Sequence, residues 1–165
     1  MTSKPLTVTR QIDAPPSLIC KAWTDEASLK QWFGPAGCPI SQSSMDFKEG
    51  GHYHYGMKVP TGQTMWGRWD FVEIVPEQKL VMLTAFSAED PQQTTRHPLV
   101  PTWPLHTKST SLFEAKDGGT LLSITWEPHE ASAMEIATFN ASHDAMKAGW
   151  ESTFKQLEAF AAQHK

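Results

Sequence analysis

The sequence predicts an α+β domain in which a curved antiparallel sheet wraps around a long C-terminal helix. Three observations predict this fold: an alternating strand opens the chain, β-rich runs separated by turn residues fill its middle, and an apolar stripe at helical spacing lies near its C-terminus. A chain of 165 residues can bury roughly 70% of the surface that its extended form exposes. We therefore expect a single domain.

The N-terminal segment predicts one strand and two short helices. Residues 6–12 alternate between two faces, which is typical of a strand. Pro15-Pro16 suits the first turn of a helix, where a missing N–H group costs little. A second helix is predicted over residues 26–33, with Asp25 as its N-cap and Gly34-Pro35 as its end.

The middle of the chain predicts an antiparallel meander, because glycine and proline turns separate its β-rich runs. The predicted strands cover residues 41–48, 52–58, 65–75, 79–87, 106–116 and 120–127. The stretch from Ala88 to Leu105 carries four prolines. We expect it to be a long excursion from the sheet and not a strand.

The C-terminal segment predicts one long helix. Ser132 and Glu135 have the spacing of a capping box, and a helix from there to about Ala162 would be on the order of 45 Å long. Its apolar stripe comprises Phe139, His143, Met146, Trp150, Phe154 or Thr153, Leu157 and Phe160. This face is predicted to pack against the sheet.

Composition excludes several classes of protein. The net charge is -4 with charges of both signs mixed along the chain, so no basic stripe is available and we expect no nucleic-acid partner. No apolar run approaches the ~20 residues that span a bilayer, and Met1–Lys4 lacks a charged region followed by an apolar run, the pattern of a signal peptide. We expect no membrane partner, a cytoplasmic location, and free thiols at Cys20 and Cys38.

Short motifs spread over nearly the whole chain carry a family resemblance. They include Ile12-Asp-Ala-Pro-Pro16, Leu29-Lys-Gln-Trp-Phe-Gly-Pro35, Gly50-Gly51, Phe71-Val-Glu-Ile-Val-Pro76 and Gly149-Trp150. In this order the chain resembles the activator of heat-shock protein 90 ATPase homologue (AHSA-type) family, within the START-like superfamily called SRPBCC. The segment from His97 to Leu105 resembles an insertion of a bacterial subgroup.

The resemblance implies the helix-grip fold, also described as START-like or birch-pollen-allergen-like, as a single ligand-binding domain over residues 1–165. A fold of this kind encloses a cavity between the sheet and the long helix. The predicted pocket wall comprises Tyr53, Tyr55, Trp69, Phe71, Met82, Phe113, Phe139, His143, Met146 and Trp150. The proline-rich excursion is predicted to act as a lid, with Leu99, Val100 and Trp103, although Trp103 by itself suits an anchor for the loop.

The histidines leave alternatives open. His143 interrupts the helical stripe, so it is either a polar group inside the pocket or a core histidine that bonds to a tyrosine or a backbone carbonyl. Alternation along the strand turns His52 and His54 toward solvent, and ordinary surface histidines are favoured over a metal pair. Asp46 and Glu49 are interpreted as a solvated turn in preference to an acid–base pair.

Three functions remain open on this basis. The first is non-catalytic binding of a small hydrophobic molecule. The second is an enzyme of the cyclase or hydratase kind that uses His143 as acid or base. The third is a chaperone-interaction module, which we disfavour because nothing corresponds to the additional N-terminal domain of eukaryotic co-chaperones. Nucleophile and phosphate-binding motifs are absent, so we expect no catalytic residues, no cofactor and no metal; a homodimer is compatible with the sequence.

Overall fold

The computed structural model describes residues 2–34 and 37–164. The N-terminal elements are β1 (Leu6–Ile12), α1 (Pro16–Thr24) and α2 (Glu26–Trp32). The middle of the chain forms β2 (Ile40–Met45), β3 (His52–Lys58), β4 (Thr64–Val75), β5 (Lys79–Ser87), β6 (Thr94–Thr95), β7 (His106–Lys116) and β8 (Gly119–His129). Two helices follow, α3 (Ala133–Ala141) and α4 (His143–His164).

The strands form one antiparallel sheet in the order β1-β8-β7-β5-β4-β3-β2, and β6 pairs with β5 outside this path. Because β1 pairs with β8, α1 and α2 carry the chain to β2 at the opposite edge. The register shifts between Ile40 and Gln42 and between Phe71 and Glu73. Such bulges bend and twist a sheet. The predicted α+β, helix-grip architecture is confirmed.

The core joins the concave face of the sheet to α1, α2 and α4. Trp23, Phe154 and Leu157 are fully buried within it. Trp150 of α4 packs against Trp126 of β8 with 5.3 Å between the ring centroids. This contact holds the long helix against the sheet, as its apolar stripe predicts.

The predicted C-terminal helix begins correctly but is not continuous. Ser132 accepts a hydrogen bond from the Glu135 backbone N–H, and the Glu135 side chain accepts one from the Ser132 N–H, so the capping box is present. The helix breaks at Ser142, whose backbone N–H donates to the Phe139 carbonyl at 3.0 Å, three residues earlier and not four. Its backbone angles, φ -103° and ψ 9°, are not those of an α-helix. A single helix over this segment was therefore the wrong prediction.

The excursion between β5 and β7 differs from expectation at two points. Thr94–Thr95 forms the short strand β6, so this part of the loop does pair with the sheet. The first part of the loop covers the outer face, because the His54 Nε2–H donates to the Ala88 carbonyl at 3.0 Å. His54 is 5% exposed and its ring stacks on Trp66. The expectation that His54 faces solvent was wrong, since strand alternation shows the face but not what covers it.

Candidate functional site

A cavity of about 530 Å³ lies between the concave face of the sheet and the N-terminal half of α4. Residues on one face of neighbouring strands form its sheet wall: Tyr55 and Met57 of β3, Trp69 of β4, Met82, Thr84 and Phe86 of β5, Thr107 of β7 and Trp126 of β8. Among the described residues, none of those that line the cavity is Asp, Glu, Lys or Arg. The cavity is therefore predominantly apolar and uncharged.

Aromatic rings of the sheet and of the end of α2 pack together in the cavity wall. Phe33 meets Trp69 edge-on at 5.0 Å and Tyr55 at 5.6 Å. Tyr55 pairs across the sheet with Gly67, where a Cβ atom would lie 2.5 Å from the tyrosine Cζ and Oη atoms. Only glycine leaves room for the ring at this point. Burial raises the pKa of Tyr55 to about 12, so its hydroxyl stays uncharged.

The helix wall is made of residues spaced by three and four along the chain. These residues are Ser142, Ala145, Met146, Gly149, Trp150 and Thr153. Ala145 and Gly149 lie one turn apart, and a Cβ atom at Gly149 would meet no atom within 4 Å. These two small residues leave this side of the cavity open.

The excursion before β7 forms the third wall with His97, Val100, Trp103, Pro104 and Leu105. It is held against α3 by several contacts. The Thr138 hydroxyl donates to the Thr102 hydroxyl at 2.8 Å, Arg96 forms an ion pair with Glu135, and the Trp103 ring lies 5.7 Å from that of Phe139. The loop is thus an ordered wall that is anchored to a helix.

His97 is the polar residue in this wall whose geometry is most closely defined. Its Nδ1 atom accepts hydrogen bonds from the backbone N–H groups of Leu99 at 3.0 Å and Val100 at 3.1 Å. Its ring meets Phe86 edge-on at 4.9 Å. Burial lowers the pKa of His97. The accepted hydrogen bonds and the lowered pKa both favour the neutral imidazole.

Comparison with known proteins identifies the family. Residues 13–162 match the family described as Activator of Hsp90 ATPase homolog 1-like protein. The chain belongs to this family. No curated protein matches the sequence.

Solved structures with this fold come from several bacteria. Protein Ms6760 from Mycobacterium smegmatis is 24% identical with a TM-score of 0.75, covering 96% of this chain and 94% of that one. Protein NE0264 from Nitrosomonas europaea is 22% identical with a TM-score of 0.77, and the match covers 98% of this chain and 96% of that one. A protein from Arthrobacter aurescens is 23% identical with a TM-score of 0.78, covering 96% and 86%. At these identities the likeness shows the fold alone.

The structure brings half of the predicted wall residues to the cavity of this AHSA-type domain. Tyr55, Trp69, Met82, Met146 and Trp150 line it. Tyr53, Phe71, Phe113 and Phe139 are buried in the core behind it. Of the predicted lid residues, Val100 and Trp103 line the cavity, whereas Leu99 is 85% exposed. Contact between any of these residues and a ligand stays a prediction.

His143 does not line the cavity, contrary to the first of its two interpretations, but bonds to a backbone carbonyl, the partner named in the second. Its Nε2–H donates to the Lys4 backbone carbonyl at 2.7 Å, and its ring meets Phe139 edge-on. The break at Ser142 makes His143 the first residue of α4, where it reaches the N-terminal segment. His97 was missed because its position depends on the path of a long loop. Its only signal in the sequence was its place in the proline-rich insertion.

The remaining polar candidates have structural partners. Asp46 forms an exposed ion pair with Lys48 at 3.6 Å, and Glu49 accepts a hydrogen bond from the Ile74 N–H at 3.0 Å. Within residues 2–34 and 37–164, no group of His, Cys, Asp and Glu side chains could hold a metal ion. Both cysteines are free thiols.

No helix in the described part of the chain is long and apolar enough to cross a membrane.

Proposed function

We propose that this protein binds a small hydrophobic molecule, without catalysis, in the cavity between the sheet and α4. The observation that carries the proposal is the uncharged, mainly apolar lining, rich in aromatic rings, of a cavity of about 530 Å³. Ligand pockets of roughly 300–1,000 Å³ with apolar walls and few polar groups are typical of sites for small molecules. A cytoplasmic location accompanies this proposal as a prediction.

The helix wall supports ligand binding over a purely structural gap. Apolar interiors are normally packed without large voids, because each unfilled volume loses van der Waals contacts. Here two neighbouring turns of α4 present Ala145 and Gly149 to the cavity. A ligand would supply the missing contacts and stabilise the folded state in proportion to its affinity.

Filling the cavity with a side chain tests the proposal. Gly149 lines the cavity, and a Cβ atom at this position would meet no atom within 4 Å, so we expect the ring introduced by Gly149→Phe to enter the space a ligand would occupy. The change also replaces a glycine inside a helix, which favours the helix by a few tenths of a kcal/mol. Ala148→Phe is the matched control, because Ala148 is the neighbouring residue and does not line the cavity.

The measurement is a fluorescence titration with the uncharged probe N-phenyl-1-naphthylamine, together with native mass spectrometry of freshly purified protein. We expect saturable binding of one probe per chain to the wild type and to Ala148→Phe. Gly149→Phe should bind at least tenfold more weakly while keeping its far-UV circular dichroism. Absence of saturable binding to the wild type, or undiminished binding to folded Gly149→Phe, would overturn the proposal.

The enzyme hypothesis loses support, and the chaperone-interaction hypothesis stays open. Because His143 lies outside the cavity wall, the cyclase or hydratase hypothesis lacks the acid or base on which it was built. The chaperone-interaction hypothesis stays a prediction despite the family's name.

A further inference from the structure

The hydrogen bonds of His97 determine where its ring proton lies. An imidazole nitrogen that accepts a hydrogen bond carries no proton of its own. Since Nδ1 accepts from both the Leu99 and Val100 N–H groups, the proton of the neutral ring is on Nε2. His97 therefore presents a hydrogen-bond donor at Nε2. Protonation of Nδ1 is disfavoured, because the second proton would point at two backbone N–H groups.

The Nε2–H group of His97 is free to bond to a ligand. The hydrogen bonds that His97 makes to described residues are those of Nδ1, and His97 is part of the cavity wall. The ring packs edge-on against Phe86, which shares one face of β5 with Thr84. Two backbone hydrogen bonds and one aromatic contact thus fix the donor before any ligand binds, which reduces the entropy cost of binding.

The other polar groups in the wall favour the same ligand chemistry. The indole N–H groups of Trp103 and Trp150 can only donate. The Thr84 and Thr107 hydroxyls bond to each other, which leaves one of their two protons to donate. Among the described lining residues there is no carboxylate or amide side chain. The Ser142 and Thr153 hydroxyls already donate to backbone carbonyls, so the acceptors that the side chains offer are hydroxyl oxygens, and the N–H groups of the wall are left to donate to a ligand.

The wall also disfavours a charged ligand. It carries no lysine or arginine to pair with an anion and no aspartate or glutamate to pair with a cation. Burying an unpaired charge in apolar surroundings is strongly unfavourable. His97 does not compensate, because its geometry keeps the ring neutral.

From these contacts we infer that the ligand is an uncharged hydrophobic molecule with a carbonyl-type oxygen, and that the Nε2–H of His97 donates to this oxygen. The inference rests on the proposed function, since it requires a ligand in the cavity. It makes His97 the residue that selects ketones, esters or related acceptors over hydrocarbons of the same shape.

Two probes of equal shape test the inference. 2-Acetylnaphthalene has a carbonyl oxygen where 2-isopropenylnaphthalene has a methylene group. Their dissociation constants are measured for each variant by quenching of tryptophan fluorescence. For each variant we take the ratio of the two dissociation constants. The probes differ in hydrophobicity by the same amount in every variant, so a change in this ratio between variants reports a change in the contact to the carbonyl oxygen.

The variants separate donor loss from loop damage. In His97→Asn the side-chain oxygen can still accept the Leu99 and Val100 N–H groups, as asparagine does in turns, but the side chain is too short to place a donor at the position of Nε2. His143→Phe is the matched control, because it removes an imidazole outside the cavity. The carbonyl stretching frequency of bound 2-acetylnaphthalene shows directly whether the carbonyl oxygen accepts a hydrogen bond. This measurement can also be made on the wild type without any variant.

We expect the preference for the ketone to fall about fivefold to tenfold in His97→Asn, the size of one neutral hydrogen bond, and to be unchanged in His143→Phe. The carbonyl stretch should be lower in the wild type than in hexane and should rise in His97→Asn. If both probes bind but neither the ratio nor the stretch depends on His97, this inference fails and the proposed function stands. If neither probe binds the wild type saturably, the proposed function fails and the inference with it.

Discussion

Two neighbouring tryptophans allow a direct test of how the buried N–H groups in this core contribute to stability. Trp23 and Trp32 are 0% and 2% exposed, and their rings meet edge-on at 4.9 Å. The Trp32 Nε1–H donates to the Ala22 carbonyl at 3.0 Å, whereas the Trp23 Nε1–H is buried without a partner among the described residues. The same change to phenylalanine therefore has different consequences at the two positions.

The difference can be worked from these contacts. The Ala22 carbonyl lies in the last turn of α1, where carbonyls lack helical partners, so Trp32→Phe leaves it buried and unpaired at a cost of about 1–3 kcal/mol. Trp23→Phe instead removes an unpaired donor and relieves a penalty of similar size. The loss of ring volume is common to both changes. We expect Trp32→Phe to be more destabilising than Trp23→Phe by about 2 kcal/mol or more.

The assay is urea unfolding followed by far-UV circular dichroism, since both changes alter tryptophan fluorescence. The free energies can be compared directly if the two variants share the wild-type m-value. Equal destabilisation, or a larger loss for Trp23→Phe, would show that the Trp32 bond contributes little or that Trp23 has a partner such as an ordered water.

Two further outcomes follow from the loop and the tyrosines. Residues 89–104 should exchange amide hydrogens faster than Thr64–Val75, because few ladder hydrogen bonds form around the prolines; equal protection in hydrogen-exchange mass spectrometry would contradict this. Burial raises the pKa of Tyr55 to about 12 and raises that of Tyr53 further, whereas unfolded tyrosines ionise near pH ~10. Stability should therefore fall as the pH rises above about 10, and tyrosinate absorbance should appear together with unfolding, not in an earlier step.

The strands were predictable because their signals are local. The predicted ranges 52–58 and 79–87 coincide with β3 and β5. Glycine and proline turns bound these runs, and side-chain alternation identifies the inward face without knowledge of distant residues. The N-cap of α2 at Asp25 was predictable for the same reason, since its side chain bonds to Ser28 only three residues away.

Features that depend on distant contacts were not predictable in this way. His54 is covered by Ala88, 34 residues further along the chain, and no pattern within β3 indicates that cover. The break at Ser142 brings the next residue, His143, to the Lys4 carbonyl, 139 residues away in the chain. The apolar stripe continues on both sides of the break, so periodicity alone favours a continuous helix.

The cavity could not be predicted from hydrophobic periodicity, because periodicity identifies inward-facing side chains and not the space between them. Phe71 and Trp69 are both buried aromatic residues on β4, yet only Trp69 lines the cavity. Hydrophobic periodicity identifies both as inward-facing and treats them alike. What separates them is whether another part of the chain fills the space in front of each ring. Trp69 shares the cavity with residues of a distant loop, such as His97 and Trp103, and with Met146 and Trp150 of α4. Finding the cavity from the sequence therefore requires the path of that loop and the position of the helix, which hydrophobic periodicity within β4 does not contain.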